Sequence, residues 1–72
     1  MFGDNVKRYR EKAKLPQAKL AEICGVNASM IGQIESCGKV PNVILGAKIA
    51  KTLGVTIDTL VNENEEVKSL EP

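Results

Sequence analysis

Ser29 and Gln33 stand four residues apart, just after Ala28, in the stretch "NASMIGQIES". A hydroxyl and a primary amide do not ionise near neutral pH, so the chemistry they offer is hydrogen bonding. If the stretch is a helix turning about 100° per residue, Ser29 and Gln33 fall within about 40° of each other, with Ser36 alongside. Met30, Ile31 and Ile34 then line the inner side. The outer face is small and neutral, unlike the Lys/Glu surface of an ordinary solvated helix. Such a helix suits the major groove of a DNA duplex. A Gln amide pairs two-handed with adenine N6 and N7, a Ser hydroxyl donates or accepts, and an Ala methyl near the helix tip can touch a thymine methyl. Gly32, at the edge of the face, would let a backbone come close. The competing reading is that Gln and Ser are simply tolerant of water.

Several short helices must position these residues. Val6, Tyr9, Arg10 and Ala13 recur at helical spacing, which predicts a first helix over residues 4–12 with Asp4 near its positive end. Pro16 interrupts it and suits the first turn of a second helix. Leu20, Ala21 and Cys24 form the buried stripe of that helix, and Gly25 stops it. Asn27 is a good N-cap for the third helix, which "SCGKVPN" ends. Asn42 can cap a fourth carrying Val43, Ala47, Ala50 and Leu53 and closed by Gly54. Thr56 can cap a short fifth with Asp58 in its first turn and Ile57, Leu60 and Val61 apolar. Nothing alternates with period two for long enough to make a strand, so the fold class is all-α. Two short helices joined at a glycine, the second following within a few residues, form a helix-turn-helix arrangement that sets its second helix proud of the body.

Composition narrows the function classes. The 72 residues make one domain whose interior, with Phe2 and Tyr9 as the two aromatics, must be built from aliphatic side chains. Residues 1–54 carry nine Lys/Arg against four Asp/Glu, +5, and residues 55–72 carry one against five, −4, which together give the net +1. The basic body is compatible with a polyanion partner and equally with a solvated mixed surface. Residues 62–72 read as an acidic C-terminal tail, either frayed or ending in a helical turn that sets Val67 and Leu70 against a partner subunit. No apolar run approaches the roughly 20 residues of a membrane span and no leader pattern precedes the first helix, so a cytoplasmic protein without membrane contact is expected. Cys24 and Cys37, with no histidine, cannot supply the usual four-ligand zinc site, so no metal or cofactor is expected. Cys24 reads as a buried hydrophobe; Cys37 sits in a loop where no cation pattern favours a thiol switch. Without His, a Ser/Lys or carboxylate pair in a recognisable setting, or the length to build a pocket, catalysis is not expected.

The segments "REKAKLPQAKLAEICGV", "IGQIE" and "PNV" followed by "IAKTLGVTIDTL" together resemble the lambda-repressor-like, or Cro/XRE-type, helix-turn-helix family of phage and bacterial regulators. The resemblance runs from Val6 to Val61 and rests on the joint spacing of Leu20, Ala21, Gly25, Val26, Ile31 and Ile34. It implies a compact five-helix domain over residues 1–61 that acts as a sequence-specific regulator of transcription on double-stranded DNA. As a homodimer it would set its third helices in successive major grooves of an inverted repeat, roughly 34 Å apart. By position, Ala28, Ser29 and Gln33 would read bases, while Gln17, Asn27, Ser36, Lys39 and Asn42 would hold the DNA backbone. The resemblance also implies that Arg10 and Glu35 form a structural ion pair and that Ile57, Leu60 and Val61 make the dimer contact.

Four features depart from the family pattern. Pro16 replaces the usual Ser or Thr cap, and Gly38 comes one residue later than the usual loop glycine, with Cys37 in its place. Gly46 stands where Leu is common, and Ile44 and Leu45 stand where polar residues are common. Either the core shifts over those two residues or they form a patch for another protein. The second possibility belongs to the rival reading, a protein-binding adaptor or antitoxin-type module whose partner covers Ile44, Leu45 or the acidic tail.

Overall fold

The computed structural model describes residues 2–62, which form five helices: α1 (Phe2–Lys12), α2 (Gln17–Cys24), α3 (Ala28–Ser36), α4 (Val43–Leu53) and α5 (Ile57–Val61). Local devices set most of the boundaries. Asn27, Asn42 and Thr56 each accept a hydrogen bond from the backbone N–H three residues on, at 2.9, 2.8 and 3.0 Å, which satisfies a donor that the first helical turn leaves unpaired. Pro16 precedes α2 with extended backbone and no side-chain cap. Gly25 ends α2 at φ +77°, a left-handed conformation that a side chain would strain. The turn after α1 takes the same route without a glycine. Lys14 lies at φ +60°, and Leu15 N–H donates to Arg10 O at 3.1 Å.

Val6, Leu20, Ala21, Cys24, Ile31, Ile34, Leu45, Ile49, Ala50 and Leu60 form one buried core. Phe2, Tyr9, Val26, Met30, Leu53 and Val55 pack around it half-buried. α3 lies against α2 and α1, α4 against α2, and α5 against α1 and α4. Where α1 meets the end of α3, Gly3 approaches so closely that a Cβ there would run into the Ile34 carbonyl. Burial also pushes the Cys24 thiol up from its ordinary pKa, against smaller opposing effects from Thr52 and Lys48.

The structure corrects several expectations. α1 begins at Phe2, and Ala13 lies beyond its end, exposed, so the stripe closes on Arg10. α4 is rotated relative to its sequence reading: Val43 and Ala47 face out, while Leu45, Gly46, Ile49 and Ala50 face in. Leu45 therefore belongs to the core and cannot serve a partner patch, whereas Ile44 is 66% exposed. Leu60, expected at a dimer contact, is wholly buried under α1 and α4, leaving Ile57 and Val61 as the exposed apolar residues of α5. Most of the acidic tail, with Val67 and Leu70, lies outside the described residues. Among the described residues no helix is long and apolar enough to cross a membrane.

Candidate nucleic-acid interface

The α2–turn–α3 unit presents one uncovered helix face. Ala28, Ser29, Gln33 and Ser36 are all exposed, while Ile31 and Ile34 on the other side are fully buried. Among the described residues neither Ser29 nor Gln33 has a side-chain hydrogen-bond partner, so both polar ends are available to a ligand. α3 contains no Lys or Arg, and its one charged residue, Glu35, is buried. The face is therefore neutral and short-sided over its whole exposed length.

Below this face lies a polar clasp. Arg10 donates from Nε to Glu35 Oε2 at 2.7 Å and from Nη2 to Glu35 Oε1 at 3.1 Å, which joins α1 to the end of α3 through two charge-assisted hydrogen bonds. Its Nη1 donates to Leu15 O at 2.7 Å and so fixes the turn leading into α2. The bond to Glu35 raises the Arg10 pKa above its ordinary value, with burial acting the other way. Gln17, the first residue of α2, completes the group by donating from Nε2 to Glu35 Oε1 at 3.0 Å.

That last contact changes the role of Gly32. A Cβ on Gly32 would sit 3.7 Å from Gln17 Oε1 and 4.0 Å from Nε2. The space beside the glycine thus holds the Gln17 side chain of the same molecule, where the sequence pattern leaves it open for an approaching backbone. The Gln17–Glu35 bond spans 18 residues, and sequence reasoning misses it. Their spacing carries no signal, because the contact depends on how α2 and α3 cross.

The remaining candidates surround the face. Asn27 and Asn42 are exposed, and the Oδ1 of each is engaged in capping. Their Nδ2 groups are the part left to meet an acceptor. The loop after α3 folds back on the helix end, with Cys37 N–H and Lys39 N–H donating to Gln33 O at 2.9 and 3.3 Å. Gly38, at φ +75°, makes that reversal, which anchors the Lys39 backbone while its side chain stays exposed. Arg10 and Glu35 are buried away from the outer face, and Ile57 and Val61 lie on α5, the element that packs on α1 and α4.

Known proteins share both this sequence pattern and this geometry. The family model described as Helix-turn-helix matches residues 6–60. The HTH-type transcriptional regulator SinR of Bacillus licheniformis is 32% identical over 69 residues, covering 94% of this chain, which spans 62% of that relative's length. The P22 c2 repressor, solved with a synthetic operator, superposes with a TM-score of 0.83 at 28% identity, covering 89% of this chain and 97% of the repressor chain. SinR, the master regulator for biofilm formation, solved in complex with DNA, gives a TM-score of 0.79 at 30% identity over 86% of this chain and 100% of its own. The match across residues 6–60 and these superpositions place the chain in the helix-turn-helix family, among its lambda-repressor-like, Cro/XRE-type members.

Proposed function

We propose that this protein is a sequence-specific regulator of transcription that binds double-stranded DNA through α3. The observation that carries the reading is the uncovered, uncharged α3 face, on which the side chains of Ser29 and Gln33 have no hydrogen-bond partner among the described residues while the residues behind them are core. In the groove Ala28, Ser29 and Gln33 read base edges, and Gln33 is the residue able to make a bidentate contact. Gln17, Asn27, Ser36, Lys39 and Asn42 meet the sugar-phosphate backbone around them. Pro16 offers no side-chain oxygen to the start of α2, so the first N–H groups of that helix are suited to a phosphate. A homodimer reading an inverted repeat completes the proposal, with Ile57 and Val61 as its contact. On this reading the protein acts in the cytoplasm as a DNA-binding regulator rather than as an enzyme.

Selection from a random duplex pool, followed by binding across salt concentrations, tests the reading. Gln33→Ala should relax preference at one base position by about 1–3 kcal/mol, whereas Lys39→Ala should weaken all sequences alike. Equal losses on selected and random duplexes for Gln33→Ala would remove base reading from this residue. Light scattering that finds one protein copy on the selected site would remove the dimer.

One observation favours a second reading as a protein-binding module. Val40, Val43 and Ile44 are 76%, 75% and 66% exposed within five positions of the α3–α4 junction. A stable protein partner together with no duplex binding at low salt would support it over the first.

A further inference from the structure

The two carboxylate oxygens of Glu35 take more than the charge of Arg10. Oε2 accepts from Arg10 Nε, and Oε1 accepts from both Arg10 Nη2 and Gln17 Nε2. The Glu35 side chain is 1% exposed, and its guanidinium partner is itself fixed on the Leu15 carbonyl. The carboxylate is therefore a rigid post set by α1 and by the turn before α2. Gln17 reaches it across the surface of α3, over the gap that Gly32 leaves beside the helix.

We infer that Glu35 is a positioning residue for DNA-backbone binding: it holds one N–H of the Gln17 amide so that the second is presented to a phosphodiester oxygen, in a seat beside Gly32. This rests on the reading of Gln17 as a backbone contact. An amide nitrogen carries two hydrogens, so one can stay on the carboxylate while the other donates to a phosphate. A free glutamine must surrender its rotamers when it binds, and one already held does not, so affinity rises without a new contact. The arrangement also links the two modes of recognition. Glu35 lies two residues beyond Gln33 on α3, so the residue that orients the backbone contact rides on the base-reading helix.

Substituting Glu35 itself would strand Arg10, so the test uses Gly32→Leu, Gln17→Ala and the two combined. A Cβ at position 32 would fit against the Gln17 amide, but the branched end of a leucine competes for the space the amide occupies, and the substitution improves helix propensity and leaves Arg10 and Glu35 in place. Each single variant should weaken binding to selected and random duplexes alike by about tenfold, the scale of one hydrogen bond to a charged group. The salt dependence should be unchanged, because neither substitution removes a cation. The double variant should bind no worse than Gln17→Ala. Losses that add would mean that the leucine obstructs DNA directly, and would overturn the inference.

A second measurement needs no DNA. In 15N relaxation of the free protein, the Gln17 side-chain amide should be ordered, the Gln33 amide mobile, and Gly32→Leu should make the two alike. A Gln17 amide as mobile as that of Gln33 overturns the positioning role even if the protein binds DNA well. An ordered Gln17 with no binding to any duplex overturns the regulatory reading and the phosphate target together.

Discussion

α1 buries one polar side chain toward each end, and the two are satisfied in different ways. Asn5 donates from Nδ2 to Leu60 O at 2.7 Å and to Asn62 O at 3.0 Å. It thereby closes the end of α5, a five-residue helix whose last carbonyls have no partners within the helix. Five residues on, Arg10 holds Glu35 and the Leu15 carbonyl, and Glu35 holds Gln17. A neutral amide is enough where the task is to dock the last helix on the first. A full charge pair stands where a side chain on the proposed DNA-facing surface has to be fixed. A charged pair gives directional, charge-assisted bonds and exposes the domain to a larger loss if one partner is removed.

The largest expected effect breaks the charged end. Glu35→Ala leaves the Arg10 guanidinium buried without a counter-charge and should cost about 3–5 kcal/mol by urea unfolding. Replacing both partners, Arg10→Met with Glu35→Leu, should recover most of that loss, because the damage comes from the stranded charge rather than from the missing attraction. If the double variant is as unstable as the single, the pair is a net stabiliser, and the charged end holds the fold together as the neutral end does.

The neutral end should respond less. Asn5→Ala removes the donor from two carbonyls, one at the wholly buried Leu60, and should cost about 1–3 kcal/mol. Because the affected contact lies between α1 and α5, hydrogen exchange should rise first in α5, while α2 and α3 keep their protection. A loss as large as that of Glu35→Ala, or loosening that spreads to α3, would erase the difference between the two ends.

The two ends also differ in how far the sequence discloses them. Capping signals are local, so Asn27, Asn42, Thr56 and Gly25 can be assigned from their own neighbourhoods, and the helical period of α3 is enough by itself to turn Ser29 and Gln33 outward. The Arg10–Glu35 pair follows from resemblance to a family and not from spacing. Asn5 and Gly3 give no signal, because their partners lie 55 and about 31 residues away and depend on helix crossings that no local pattern encodes. α4 fails for another reason. Val43, Ile44, Leu45, Ala47, Ile49, Ala50 and Leu53 leave almost no side of the helix polar, so several rotations fit the sequence equally well. Its actual rotation follows from packing on α2 and α5, which buries Leu45 and Ile49 and leaves Val43 and Ile44 outside.

The smallest expected effect refines the charged end without breaking it. Arg10 Nη1 needs the Leu15 carbonyl in place, and the chain brings it there by a left-handed turn at Lys14, φ +60°. For a residue with a Cβ that conformation costs about 1–2 kcal/mol, whereas glycine adopts it freely. Glycine also has more freedom to lose on folding, which offsets about 0.4–1 kcal/mol of the gain. Lys14→Gly should therefore stabilise the domain by about 0.5 kcal/mol, seen as a rise of a few degrees in Tm, since about 1 kcal/mol moves Tm by roughly 4–8 °C in a domain of this size. The bond from Arg10 to Leu15 should persist, because the turn keeps its shape. A fall in Tm would mean that the lysine side chain contributes something beyond its backbone, and that the turn into α2 belongs to the clasp as more than a spacer.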